Sequence, residues 1–577
     1  MAMISGKSDK APTRPKIAIF SGPTATIQNS EPLVTSNKAR EKYGLPLRAN
    51  PDGSPARFDA PRPQRLAAPV TIYIEQFSAH PLERDAAELY APPDGYIGPD
   101  GVFRKERRGP GDTPVYEVTL LPEDGVYPLP YMARQANGQP WEDDEAYPLA
   151  PAHLCRQPFY PDASRIFEEI DRLGIGHHGT GNLLSSKADF DFYRPAPSGG
   201  YRNGLPEGER TDAGEGEISP ETLGKDFFIY RPPHIRRSPA MSHLARVTNV
   251  VQEVASSGRY TGAIWLEGSP NVEESIYWLN LLIDTTVPIV GNASQRPHGS
   301  IGNDGDLNII HSVEYLASRI WADENGRDDV GAVVIQEKQI FTARDVQKAD
   351  ARPGGYVATG GHGGIVGTLG NSGPAVLTFK PVKRHTHKSA VNINRLPGTV
   401  QGVQRVDGKV SLMPVKIKDQ QGKLLPTAIP KVTIAKTARY LSESPEADPN
   451  TEVEIFARIE KNLRDFPLAG FVAEGVSPYG NLMESLAAAL KRAILTGMPV
   501  VRVGRGNAEG FTKPPTSTEL IIAGSNLTAT KARLLLMACL MKFGSLPPVA
   551  DLDHPTDAEL GAIKARLMEY QAVFDTH

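Results

Sequence analysis

Cysteine is nearly absent: the 577-residue chain has two, Cys155 and Cys539. Two thiols exclude a disulfide framework and a zinc site built on cysteine. Long apolar runs are missing as well. None approaches the roughly 18 residues that span a bilayer, so no transmembrane helix is expected. The opening MAMISGKSDKAPTRPK is polar and has no apolar centre of the kind a secretory signal carries. These absences together lead to the expectation of a cytoplasmic protein with reduced thiols. An excess of one charge is also missing, since the formal net charge is -4. Without a concentrated positive field, neither nucleic acid nor an anionic membrane is an expected partner. The short basic clusters RKERR (Arg104 to Arg108) and KRHTHK (Lys383 to Lys388) read as solvated turns.

What is present is an ordinary globular balance, 40% hydrophobic and 23% charged, in a chain long enough for two to four domains. Residues 16–21 (KIAIFS) read as a buried strand that ends at Gly22-Pro23. Residues 46–225 are dense in proline, glycine and charge, and their periodicity is weak. They read as a loop-rich insertion with a strand at Val70 to Ile74 and a helix at Ala163 to Leu173. From residue 238 helices and apolar strands alternate: MSHLARVTNVVQEVAS, AIWL, VEESIYWLNLLID, VPIV, a helix over Asp306 to Trp321, and GAVVI. Such alternation predicts parallel strands with helices on both faces. A second alternating unit starts at Lys431. The divisions are therefore 1–45, the start of an N-terminal α/β domain; 46–225, the insertion; 226–385, the rest of that domain; 386–430, a connector; and 431–577, a C-terminal α/β domain.

In open parallel sheets, ligands sit outside the carboxyl ends of the strands. Four strand exits carry polar or nucleophilic residues: Gly22-Pro23-Thr24-Ala25-Thr26, Glu267-Gly268-Ser269-Pro270-Asn271, Ala293-Ser294-Gln295-Arg296-Pro297 and Arg344-Asp345-Val346-Gln347-Lys348. A threonine hydroxyl becomes a nucleophile only where a base or preorganised network removes its proton. A lysine desolvated near the strand ends can serve in that role. Thr24, Ser269 and Lys348 form such a set if the fold brings them together. The competing reading has Thr24 closing a turn, Ser269 or Asn271 capping the following helix, and Lys348 solvated. Gly174-Ile175-Gly176-His177-His178-Gly179 has glycine spacing suited to a dinucleotide, but it follows a helix rather than a strand. Adjacent His177 and His178 make a poor metal site, and no metal is expected.

The collinear set of motifs resembles the bacterial-type L-asparaginase/glutaminase family. KIAIFSGPTATI looks like the family's first strand and nucleophile turn, with Thr24 on the nucleophilic threonine. Ser238-Pro239-Ala240-Met241 matches a segment whose serine contacts the substrate carboxylate. AIWLEGSPNVEES, ASQRPHGSIGNDGDLN and TARDVQK match the next three motifs and place Lys348 on the catalytic lysine. IPKVTIAKTARY, AGFVAEGVSPYGNLMES, PVVRVGRG and LIIAGSNLTATKARLLLMACL then follow the family's C-terminal domain in order, over about 16–45 and 230–545 in all.

The resemblance implies a doubly wound, mostly parallel N-terminal α/β domain, a smaller α/β C-terminal domain, and here a loop-rich insertion. It implies a threonine acyl-enzyme amidohydrolase that needs no cofactor. It also implies a homo-oligomer, a dimer of dimers, whose sites borrow an asparagine matched by Asn481. Catalytic roles fall on Thr24, Lys348 and Ser269. Substrate-binding positions fall on Ser238, Glu267, Pro270, Tyr43 and Asn481. The family's His-Gly-Thr-Asp is Glu267-Gly268-Ser269-Pro270 here. Pro270 has no side-chain acceptor for a substrate α-ammonium, and Pro23 replaces a glycine beside the nucleophile. The expected substrate is therefore a small amide without asparagine's free α-amino group. Two alternatives are a catalytically inactive, asparaginase-like binding or scaffold protein, and a subunit of a tRNA-dependent amidotransferase.

Overall fold

A computed structural model describes residues 15–22, 183–193 and 243–577, apart from 297–301, 353, 360–361, 371–373, 437–447, 478 and 507–518; it also describes short stretches between 35 and 170. The sheet at its centre is built on β1 (Lys16–Ser21). On one side of β1 lies β2 (Asp189–Tyr193), and on the other β3 (Gly262–Leu266), both parallel to it. Next come β4 (Ile289–Asn292) and β5 (Val333–Gln336), also parallel. An antiparallel flank completes eight strands: β6 (Gln339–Thr342), then β9 (Ile365–Thr368) and β10 (Val376–Leu377). A small hairpin of β7 (Val346–Lys348) and β8 (Tyr356–Ala358) stands apart from the sheet. The fold is thus a mixed α/β architecture with a mostly parallel central sheet, as the alternating pattern predicts.

Both faces of this sheet are buried, which is why its strands are continuous apolar runs. Ile17, Ile19, Ile264 and Leu266 pack on one side; Ala18, Phe20, Ala263 and Trp265 pack on the other. Helices α1 (His243–Ala255), α2 (Val272–Leu282) and α3 (Gly305–Ser318) supply the covering layers. The chain leaves β1 toward β2 on one side and later builds β3, β4 and β5 on the other. That reversal is a topological switch point, the place outside the strand ends where open α/β sheets bind ligands, here at the carboxyl ends of β1 and β3.

The stretch from 46 to 225 is tied to this domain. Besides β2, it contributes Phe167 and Ile170, helical and buried in the same core as Ile17; Phe167 meets the Phe190 ring edge-on at 5.0 Å. The Val70–Ile74 strand forms with Thr113–Leu120, Gly95–Ile97 and Phe103–Arg104 a separate four-stranded antiparallel sheet.

The C-terminal unit has four parallel strands: β13 (Lys431–Lys436), β14 (Ala469–Gly475), β15 (Val500–Gly504) and β16 (Ile522–Ala523). Helices α4 (Val453–Asp465), α5 (Glu484–Leu495), α6 (Ala529–Phe543) and α7 (Asp557–Thr576) pack around it. The connecting stretch forms a hairpin, β11 (Thr399–Val406) with β12 (Lys409–Lys416). Its Val400 and Val403 are buried in one cluster with Phe471 and Val472. Among the described residues, no helix is long and apolar enough to cross a membrane.

Candidate active site

The carboxyl ends of β1, β3 and β4 are tied together by main-chain bonds: the Gly22 amide donates to Leu266 O at 2.7 Å, and the Glu267 amide to Asn292 O at 3.0 Å. Gly22 has no room for a side chain. A Cβ there would lie 2.4 Å from Glu267 Oε2. The Glu267 carboxylate is therefore packed against the last turn of chain before Pro23 and Thr24. It is 3% exposed, and its Oε1 accepts from the Gly268 amide at 3.3 Å.

Ser269 is the hydroxyl at the centre of the described wall. Its Oγ accepts from Gln295 Nε2 at 2.6 Å and lies 2.7 Å from the Tyr356 hydroxyl. It does not cap α2. The N-cap is Asn271, in helical conformation, with no side-chain capping bond. The Ser269-Pro270 peptide is cis. Tyr356 is 7% exposed, and burial holds its phenol well above the usual range, so it keeps its proton at any physiological pH.

Gln295 is itself fixed by Asp304. That buried carboxylate accepts from the amides of Gln295 (3.1 Å) and Arg296 (2.8 Å), from Ser294 Oγ (3.2 Å) and from Gln336 Nε2 (2.7 Å). A carboxylate holding several N–H groups stiffens a loop, and this loop aims Gln295 at Ser269.

Lys348 ends the short strand β7. Its ammonium donates to Arg352 O at 2.5 Å and to Gly354 O at 2.6 Å, and sits 5.3 Å from the centre of the Tyr356 ring. Burial lowers its pKa, against the pull of Asp350, Asp304 and Glu337. Its own amide donates to Glu273 Oε2 at 2.6 Å. Lys348 and Ser269 thus share Tyr356 as a neighbour, the ammonium over its ring and the serine at its hydroxyl.

Of the residues singled out from sequence, Glu267, Ser269, Pro270 and Lys348 gather here. Asn481 does not: it is exposed on the turn after β14, where its carbonyl accepts from the Val476 amide at 2.9 Å. Thr24, Tyr43, Ser238, His177, His178 and Cys155 lie outside the described residues. Cys539 is a buried free thiol in α6. Among the described residues, no group of three metal-binding side chains exists. Sequence reasoning missed Tyr356, and it missed Lys531. A lysine within the apolar run of TATKARLLLMACL was the available signal for the second; for the first there was none beyond its closeness to Lys348.

A family model for the asparaginase N-terminal domain matches residues 237–365. The chain is 31% identical over 173 residues to the glutaminase-asparaginase of Acinetobacter glutaminasificans, covering 30% of this chain and 49% of that protein. It is 23% identical over 282 residues to L-asparaginase 2 of Escherichia coli K12, covering 48% and 66%. A probable cytoplasmic L-asparaginase of Campylobacter jejuni is similar in structure, at a TM-score of 0.44 and 17% identity, over 69% of this chain and 94% of that one. The chain spans about half the length of the first of these relatives.

Proposed function

Taking as premise that the chain is a distant member of the L-asparaginase family, we propose that it is an amidohydrolase that cleaves a non-peptide C–N bond through an acyl-enzyme on Thr24. The observation that carries this is the Ser269 hydroxyl, held between the Gln295 amide and the Tyr356 hydroxyl at the strand exits. A hydroxyl oriented that firmly, two residues after the Glu267 that packs on Gly22, suits proton transfer to or from a reacting group.

In the first half-reaction, Thr24 Oγ1 attacks the amide carbonyl. The C–N bond breaks, and the threonine proton reaches the leaving nitrogen through Ser269. Water then attacks the ester carbonyl, the bond from the acyl carbon to Thr24 Oγ1 breaks to release the acid, and a proton from the water returns to Oγ1. Main-chain N–H groups at the strand ends receive the oxyanion. Lys348 assists with charge and protons in one or both halves, its ammonium over the Tyr356 ring whose hydroxyl meets Ser269. No cofactor is required.

The substrate in this reading is a small amide with no α-ammonium to satisfy. Pro270 supplies no carboxylate, and the nearby acids are committed to the main chain: Glu267 to the Gly268 amide, Asp304 to the Gln295 and Arg296 amides, Glu273 to the Lys348 amide. Ser238 takes the substrate's carboxylate or its equivalent, and Tyr43 is a further substrate-binding position. A homo-oligomer, a dimer of dimers, brings Asn481 of a neighbouring copy to the site.

Thr24→Val tests the reaction. With circular dichroism unchanged, release of ammonia or amine is expected to drop at least roughly 1000-fold. Undiminished release would end the acyl-enzyme reading. A panel pairing asparagine and glutamine with primary amides, lactams and cyclic imides tests the substrate. Preference for asparagine would overturn the argument from Pro270.

A further inference from the structure

Lys531 stands in the first turn of α6, and its side chain leaves the C-terminal unit to enter the N-terminal domain. It is 1% exposed. Its ammonium donates to Glu273 O and, at 2.5 Å, to Ala343 O; the Tyr277 ring covers another side, with its centre 5.1 Å away. Neither carbonyl is incidental. Glu273 lies in the first turn of α2, four residues after Ser269, and its carboxylate holds the Lys348 amide at 2.6 Å. Ala343 opens the Arg344-Asp345-Val346-Gln347-Lys348 segment. One cation thus joins the main chains of the two segments that carry Ser269 and Lys348.

We propose that Lys531 is a positioning residue, a clamp from the C-terminal unit that sets the distance between the Ser269 and Lys348 segments. The inference rests on the amidohydrolase reading for its effect on turnover, though not for its geometry. Packing alone does not call for an ammonium here. An apolar side chain of similar volume fills a buried site as well or better, because a buried charge must be desolvated. What an apolar side chain cannot do is donate to two carbonyls and hold them together. The charged groups facing Lys531 are Glu273 and Glu274 on α2 and Asp345 and Arg344 on the loop, and burial brings its pKa down to about 8. Arg344 adds a second tie across the same boundary, from its guanidinium to Asn526 Oδ1 at 2.8 Å.

Lys531→Met removes the clamp and keeps the volume. Hydrogen exchange read by mass spectrometry on the full chain is expected to speed up at least roughly tenfold in peptides covering 269–275 and 343–349. Peptides of β13, β14 and α4 are expected to be unchanged. On an amide that the wild type hydrolyses, kcat is expected to fall roughly 10- to 100-fold with KM within about threefold, because misplaced catalytic groups cost rate more than binding. Unchanged exchange in the two segments would overturn the proposal, and so would loss of protection spread evenly through the C-terminal unit. Full kcat in the variant would overturn it equally. If the wild type hydrolyses no amide, the functional reading fails on its own, and the exchange comparison still decides for or against the clamp.

Discussion

Ser269 has one proton and two lone pairs to place. Gln295 Nε2 fills one lone pair, which leaves the Tyr356 hydroxyl either to fill the other or to accept the proton. If Tyr356 donates, the Ser269 proton is left free to pass to a leaving nitrogen. Tyr356→Phe separates this role from packing. The ring stays and only the oxygen goes, so unfolding free energy is expected to change by about 1 kcal/mol. Turnover is expected to fall roughly 100-fold if the hydroxyl sits in the proton path. Stopped assays of amide cleavage at saturating substrate check this, and wild-type kcat would remove Tyr356 from the reaction. At this scale the sequence was only partly legible. Ser269 and Lys348 stood out because their residue types and strand-exit positions suit the chemistry. Gln295 lay in a named loop without a role, since an amide side chain signals nothing until its partner is known. Lys531 hid inside a helix whose pattern reads as core.

The elements were most legible where burial on both faces forces apolar runs. Lys16–Ser21 and Lys431–Lys436 have the limits read from sequence. Asp189–Tyr193 did not announce itself, because DFDFY alternates acid and aromatic at the sheet's edge. The β11–β12 hairpin has alternating, half-exposed residues and so carries no strong core signal. The turn joining β5 to β6 places Glu337 and Lys338 at positive φ (47 and 69), a conformation usually marked by Asn-Gly or Gly. The loop before β5 offers a test at this scale. Asp328 is fully buried, accepts from the amides of Val330 and Gly331, and is raised by burial to about 7. A carboxyl raised in the folded state contributes stability that is complete below its unfolded pKa of about 4 and is lost as pH rises through about 7. The loss is at most roughly 4 kcal/mol. Asp328→Asn has no such titration. Relative to wild type, the variant is expected to gain stability between pH 5 and pH 8 in urea unfolding. A difference that does not change with pH would refute the assignment.

Across the whole molecule, two units meet through buried polar ties rather than apolar contact alone: Lys531 to Ala343, and Arg344 to Asn526. Their order along the chain was readable from the two alternating patterns; these ties were not, because they join residues nearly two hundred positions apart. The proposed assembly adds a second boundary, between copies. Asn481 is exposed on the turn after β14, and in the proposed oligomer it completes a neighbour's site. Subunit mixing decides whether it does. A Thr24→Val chain keeps Asn481, and an Asn481→Ala chain keeps Thr24. In a mixed pair, the site built on the second chain's Thr24 receives the first chain's Asn481 and is whole, while the other site lacks both groups. Statistical exchange of two chains in an isologous dimer makes half of the pairs mixed, so about a quarter of all sites should recover. Each variant is expected to be nearly inactive alone, and activity should rise toward that fraction as the chains exchange. If Asn481 instead served its own chain, every site that keeps Thr24 would sit in a chain without the asparagine, and mixing would yield no gain at any ratio.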